Sequence, residues 1–102
     1  MAESVREFFE GLEGRADPAK TAGMNNSYVF DVEGAGTWKV DVRDGAVSVT
    51  EGTGDADATI QASEENLLKI AKGELNPTTA YMTGKLKIKG DMGAALKLQK
   101  LF

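Results

Sequence analysis

Neither cysteine nor histidine occurs in these 102 residues. The first absence excludes disulfides and thiolate chemistry, and the second removes the usual general base at neutral pH. Together they take away the common zinc ligands. No run of about 18 apolar residues exists, so no segment reads as a membrane-spanning helix. Met1-Ala2-Glu3-Ser4 leads into a charged helix rather than an apolar signal segment, and a cytoplasmic location is the expectation. Serines and threonines are present without a histidine partner, and no Ser-x-x-Lys pairing appears. No convergent catalytic set can be assembled, so the chain is not expected to be an enzyme or to carry a metal or other cofactor.

The formal net charge is −4, unevenly spread. The first 68 residues hold five basic and fourteen acidic side chains, whereas the last 34 hold seven lysines against Glu74 and Asp91. An acidic chain is a poor nucleic-acid binder, because phosphate recognition needs clustered cations. The basic last third is the one place where an anionic surface could dock. A chain of this length has room for one core, and residues 1–102 read as a single domain.

Val5, Phe8, Phe9 and Leu12 recur at i, i+3, i+4 and i+7, which marks a surface helix with a narrow apolar stripe. Residues 15–26 read as a loop. From Ser27 the period changes to two. Tyr28, Phe30 and Val32, then Trp38, Val40 and Val42, then Val47 and Val49 alternate with polar neighbours as three half-buried strands. Asp44-Gly45 is a two-residue hairpin signal that sets Val42 opposite Val47 and Val40 opposite Val49. Across Gly34-Ala35-Gly36, pairing Glu33 with Thr37 sets Val32 opposite Trp38 and Phe30 opposite Val40. Ala58, Ile60 and Ala62 form a fourth strand. Ser63 caps a helix, Asn76-Pro77 opens another, and Leu86 and Ile88 alternate with lysines in a fifth strand. Asp91 caps a last helix running to Phe102. The expected fold class is α+β: one five-stranded, mostly antiparallel curved sheet with helices covering one face and an apolar tunnel between.

The last helix carries the most functional information. Its apolar positions from Met92 to Phe102 cover an arc of roughly 220°, against roughly 100° for the first helix. So wide a face suits a lid touching the sheet on one flank and an apolar ligand on the other. It equally suits a helix wedged between neighbours, or a dimer contact. Gln99 lies inside that arc, where a buried amide needs a partner: a ligand hydroxyl or carboxyl, or nearby backbone. Met82 and Met92 flank the fifth strand with Tyr81 beside them, as adaptable pocket lining or as core filler. Lys85, Lys87 and Lys89 point to one face of that strand. They read as a solvent face or charged edge, or as an anionic-membrane docking patch joined by Lys97 and Lys100. Gly90-Asp91-Met92-Gly93 is not a phosphate loop, because Asp91 at the helix start repels phosphate. Asp55 and Asp57 fall short of a calcium site.

The segment from Gly73-Glu-Leu-Asn76-Pro77 through Gly84-Lys-Leu-Lys-Ile88 to Met92-Gly93 and Lys97-Leu-Gln99 resembles the C-terminal half of the sterol carrier protein type-2 family. Thr37-Trp38 and Asp57-Ala-Thr59-Ile60 resemble its earlier strands. The resemblance implies an apolar tunnel binding a sterol, fatty acid or fatty acyl-CoA. By position, it implies Met82, Leu86, Ile88, Met92, Leu96, Gln99 and Leu101 as tunnel-side residues. Phe30 and Trp38 are added from the alternation. The chain stops at Lys100-Leu101-Phe102 and lacks the peroxisomal Ser-Lys-Leu. The expectation is a lipid-binding or transfer protein, monomeric or weakly dimeric, meeting anionic membranes transiently. The alternative is an accessory or interaction module whose groove binds a partner protein or presents substrate to a separate enzyme.

Overall fold

The alternation that begins near Ser27 folds into β1 (Asn26–Glu33), β2 (Gly36–Arg43) and β3 (Ala46–Glu51), followed by β4 (Ala58–Ser63) and β5 (Leu86–Gly90). The structure is a computed structural model and describes residues 5–15 and 18–97. The strands form one open sheet in the order β3-β2-β1-β4-β5, antiparallel except for the central parallel pair β1 and β4. The helices are α1 (Val5–Arg15), α2 (Pro18–Thr21), α3 (Glu64–Ala71), α4 (Pro77–Met82) and α5 (Met92–Leu96).

The β2–β3 hairpin has the expected register, with Arg43 opposite Ala46 and Val40 opposite Val49. Its two turn residues, Asp44 and Gly45, have φ of 50° and 84°, as a primed turn requires. The β1–β2 register differs from expectation. The turn closes on Val32 and Gly36 rather than on Glu33 and Thr37, so Phe30 faces Trp38 and Tyr28 faces Val40. Gly36 joins the strand at φ 136°, and a Cβ there would stand 3.5 Å from the Trp38 ring. The slip is two residues, so parity is kept and each inward side chain stays inward. The expected loop at 15–26 also differs, since α2 lies within it. Four residues are too few to show a helical period. Thr21 ends α2 buried, its hydroxyl donating to the Gly45 carbonyl at 2.8 Å.

One face of the sheet is covered. Val5, Phe8, Phe9 and Leu12 of α1 are all buried, as the stripe predicts. Phe9 stacks on Trp38 with centroids 4.8 Å apart and meets Phe30 at 5.1 Å. This aromatic group forms the core at the β1–β2 half of the sheet, with α1 also packing against β3 and α3. Ser63 accepts from the Asn66 N–H at 3.2 Å and starts α3, which buries Leu67 and Ile70. At the far edge, α4 and α5 pack against β5. The opposite sheet face is polar, with Asp31, Gln61 and Lys87 side by side across β1, β4 and β5. Val29 is the exception: it is buried at the centre of that face between Lys39 and Thr59.

Candidate functional site

The site lies where the sheet ends. Asn76 caps α4 through its side-chain oxygen, which accepts from the N–H groups of Thr78 and Thr79 at 2.8 and 3.4 Å. Pro77 follows at the first helical position, where its missing N–H costs nothing. Asp91 caps α5 in the same way, accepting from Gly93 and Ala94 at 2.8 and 3.3 Å. Both of these capped helices pack against β5. Between them is an apolar groove of about 250 Å³, lined by Pro77, Thr78, Tyr81, Met82, Leu86, Ile88, Met92, Ala95 and Leu96.

Leu86 is buried and Ile88 half-buried, and both come from the inward row of β5. Met82 and Leu96, from the two helices, are 78% and 66% exposed, and Tyr81 and Met92 are about two-fifths exposed. These four are the large exposed apolar side chains among the described residues, and all of them line this one groove. Scattered exposed leucines mean nothing, but clustering in one concavity marks a binding surface. Of the wide arc expected from Met92 to Phe102, the part from Met92 to Leu96 forms α5 and is divided accordingly, while Leu98, Leu101 and Phe102 lie outside the described residues. Ala94 and Ala95 are buried, with Ala95 also reaching the groove wall, whereas Met92 and Leu96 stand exposed along the groove.

α5 is tied down by Tyr28. This fully buried phenol donates to the Ala94 carbonyl at 2.5 Å. Burial pushes its pKa well above the usual tyrosine value, and the carboxylates of Asp57 and Asp91 push it the same way. The phenol is therefore a permanent donor at neutral pH. Asp57 makes a second tie, its carbonyl accepting the Asp91 N–H at 2.8 Å.

Met82, Leu86, Ile88, Met92 and Leu96 are thus brought together. Phe30 and Trp38 are not. Both are buried under α1 and absent from the groove lining, because alternation along a strand tells which face a side chain takes but not which part of that face a helix will seal. Gln99, Leu101 and Lys100 lie outside the described residues. The tunnel expected from the sequence is, over the described residues, a groove open to solvent. Pro77, Thr78, Tyr81 and Ala95 were not among the expected lining residues. The i, i+4 pairs Pro77–Tyr81 and Thr78–Met82 carried the signal for three of them.

Lys87 and Lys89 are exposed on the outermost strand, on the face opposite Leu86 and Ile88, Lys85 is exposed just before that strand, and Lys97 is exposed at the C-cap of α5. A larger depression of about 500 Å³ on that polar face is lined by Asp31, Glu33, Gln61, Ser63, Asn66, Lys85 and Lys87. Its mixed charge does not suit an apolar ligand. Among the described residues no cluster of acidic side chains could hold a metal, and no helix is long and apolar enough to cross a membrane.

Known proteins share this architecture. A profile of the SCP-2 sterol transfer family matches residues 7–102. Hydroxysteroid dehydrogenase-like protein 2 of Danio rerio is 38% identical over 101 residues, covering 95% of this chain and 24% of that protein. Sterol carrier protein 2 of Bos taurus is 48% identical over 66 residues, covering 64% of this chain and 12% of the relative. The solution structure of the sterol carrier protein domain 2 of Helicoverpa armigera superposes with a TM-score of 0.75 at 32% identity, covering 95% of this chain and 84% of that one. The chain spans about a quarter or less of the length of these two curated relatives.

Proposed function

This chain belongs to the SCP-2 sterol transfer family, and we propose that it binds an apolar lipid in the groove between β5, α4 and α5 and releases it unchanged. Residues 1–102 act as one lipid-binding domain. The observation that carries this reading is the convergence of Tyr81, Met82, Met92 and Leu96 on one concavity floored by Leu86 and Ile88. Burying those side chains against a hydrocarbon chain removes apolar surface from water at roughly 25 cal/mol per Å². The two methionines supply a wall that adapts to ligands of different shape. Gln99 and Leu101, outside the described residues, complete the candidate set. The ligand classes are a sterol, a fatty acid or a fatty acyl-CoA.

Native mass spectrometry of the purified protein tests this. A lipid-sized adduct, displaced by an added fatty acid or sterol, is the expected result. A bare mass that no added lipid alters would remove the reading.

A second reading is favoured by the lengths of the relatives, since the chain matches about a quarter of a dehydrogenase-like protein. Here the groove presents lipid to a separate catalytic domain. Transfer between donor and acceptor vesicles separates the two. The isolated chain moves lipid unaided in the first reading; it binds without moving lipid in the second.

A further inference from the structure

The depression of about 500 Å³ on the polar sheet face occupies a distinctive place in the topology. β1 and β4 are the parallel pair of the sheet, and they end side by side at Glu33 and Ser63. From there the chain leaves in opposite directions. β1 turns back into β2 on one side, whereas β4 leads through α3 and α4 to β5 on the other. Such a reversal opens a crevice outside the carboxyl ends of the strands, where open sheets hold small ligands. Glu33, Ser63 and, from the first turn of α3, Asn66 all line this one. We infer that the crevice is a second site, independent of the groove, for a small water-soluble zwitterion carrying an ammonium at one end and a carboxylate at the other.

The charges around it are sorted by strand. Asp31 and Glu33 stand on β1, Lys87 stands on β5, and Lys85 lies just before β5, all four exposed. Gln61 of β4 lies between the two signs, with Asp31 beside it on one side and Lys87 on the other. Neighbouring strands are about 4.8 Å apart, so acid and base are separated by roughly 10 Å at the backbone. No ion pair bridges that gap. Among the described residues the ion pairs are Arg6–Glu51, Lys39–Asp41 and Lys69–Glu65. Neither pole is neutralised by the other.

A dipolar molecule lying over Gln61 joins them. Its ammonium donates to Asp31 and Glu33, and its carboxylate accepts from Lys85 and Lys87, in charge-assisted hydrogen bonds. An anion without an ammonium meets the two carboxylates as well as the lysines, and a cation without a carboxylate meets the converse. The floor suits a polar ligand, since Gln61, Ser63 and Asn66 are only half-buried. It is also held in place. The Ser63 hydroxyl accepts from the Asn66 N–H at 3.2 Å, and the Asn66 side-chain amide donates to the Lys85 carbonyl at 3.5 Å. The volume of about 500 Å³ falls within the roughly 300–1,000 Å³ of small-molecule sites.

Titration of isotope-labelled protein with γ-aminobutyrate, followed by amide chemical shifts, tests the proposal. Saturable shifts are expected at Asp31, Gln61 and Ser63, and at the side-chain amides of Gln61 and Asn66. Butyrate and butylamine each carry one of the two charges and should bind about tenfold more weakly, the loss of a charged hydrogen bond. Asp31→Asn and Lys87→Gln should each weaken γ-aminobutyrate by about the same factor. Both side chains are exposed, so each variant should keep the wild-type thermal midpoint. Absence of saturable shifts at these residues at high millimolar concentration would overturn the proposal. Equal binding of butyrate or butylamine would do so too, because one pole alone would then account for it. So would an unchanged affinity in either variant. Displacement of γ-aminobutyrate by a fatty acid would show that the crevice and the groove are one site, and would remove the second.

Discussion

The Tyr28 hydroxyl donates to the Ala94 carbonyl oxygen at 2.5 Å, joining the central strand β1 to α5 across 66 positions of chain. One side chain at the middle of the sheet thus sets where a wall of the groove stands. The Ala94 carbonyl also accepts the Lys97 N–H at the end of α5, so it keeps one partner when the phenol is removed.

Tyr28→Phe should therefore cost about 1–2 kcal/mol, the value of one buried hydrogen bond. The loss should be local. Hydrogen exchange is expected to speed up at the amides of α5, such as Ala95 bonded to the Asp91 carbonyl, and to leave the β2–β3 hairpin unchanged. A variant as stable as wild type with unaltered exchange in α5 would contradict this role.

The same phenol makes stability depend on pH. Its pKa in the folded state is raised, chiefly by burial, whereas an unfolded tyrosine titrates near 10. Above that pH the unfolded chain gives up a proton that the folded chain keeps. The unfolded state then binds fewer protons, so stability falls as pH rises and is fully present below about pH 10. The measure is the wild-type stability minus that of Tyr28→Phe, which isolates the contribution of this phenol. By chemical denaturation this difference should be constant below about pH 9 and shrink above pH 10 by up to about 1.4 kcal/mol per unit. A difference that stays level to about pH 11 counts against the assignment.

Trp38 is the sole tryptophan and lies in the core with 3% of its surface exposed, stacked on Phe9. Lipid titration should leave its emission maximum unchanged, because the groove is walled by other residues. A ligand-induced shift would place the lipid under α1 instead. Leu96→Glu gives the complementary outcome. Leu96 is 66% exposed, so the variant should fold with wild-type circular dichroism. A ligand at a hundredfold excess over Kd stabilises by about 2.7 kcal/mol, raising the midpoint of a chain this size by very roughly 10 °C. Leu96→Glu should show a clearly smaller rise, since a carboxylate in the wall must be desolvated.

Gly90 closes the sheet against α5. It sits at φ 104°, and a Cβ there would come within 2.5 Å of the Asp57 carbonyl oxygen, which already accepts the Asp91 N–H. Gly90→Ala should cost about 2–4 kcal/mol from backbone strain and forced separation of β4 and β5. Gly52→Ala, at φ 119° with nothing near its Cβ, carries the strain alone and should cost less. Equal losses in thermal melts would show that close approach at Gly90 is unimportant.

Periodicity and turn chemistry specify most of this fold, because each acts over a few neighbouring residues. The stripe from Val5 to Leu12, the strand alternation, the Asp44-Gly45 hairpin and the caps at Ser63, Asn76 and Asp91 all depend on local spacing, and all occur as their spacing predicts. Resemblance to a family then brought Met82, Leu86, Ile88, Met92 and Leu96 into one candidate set. Tertiary packing decided the rest. Phe30 and Leu86 both face the covered side of the sheet, yet Phe30 meets the Phe9 ring while Leu86 floors the groove. Strand order separates them: β1 is central under α1, and β5 is the edge flanked by two short helices. No local pattern records which part of an apolar face a distant helix will fill. That follows from the parallel pairing of β1 with β4, whose strands are more than 20 residues apart in the chain.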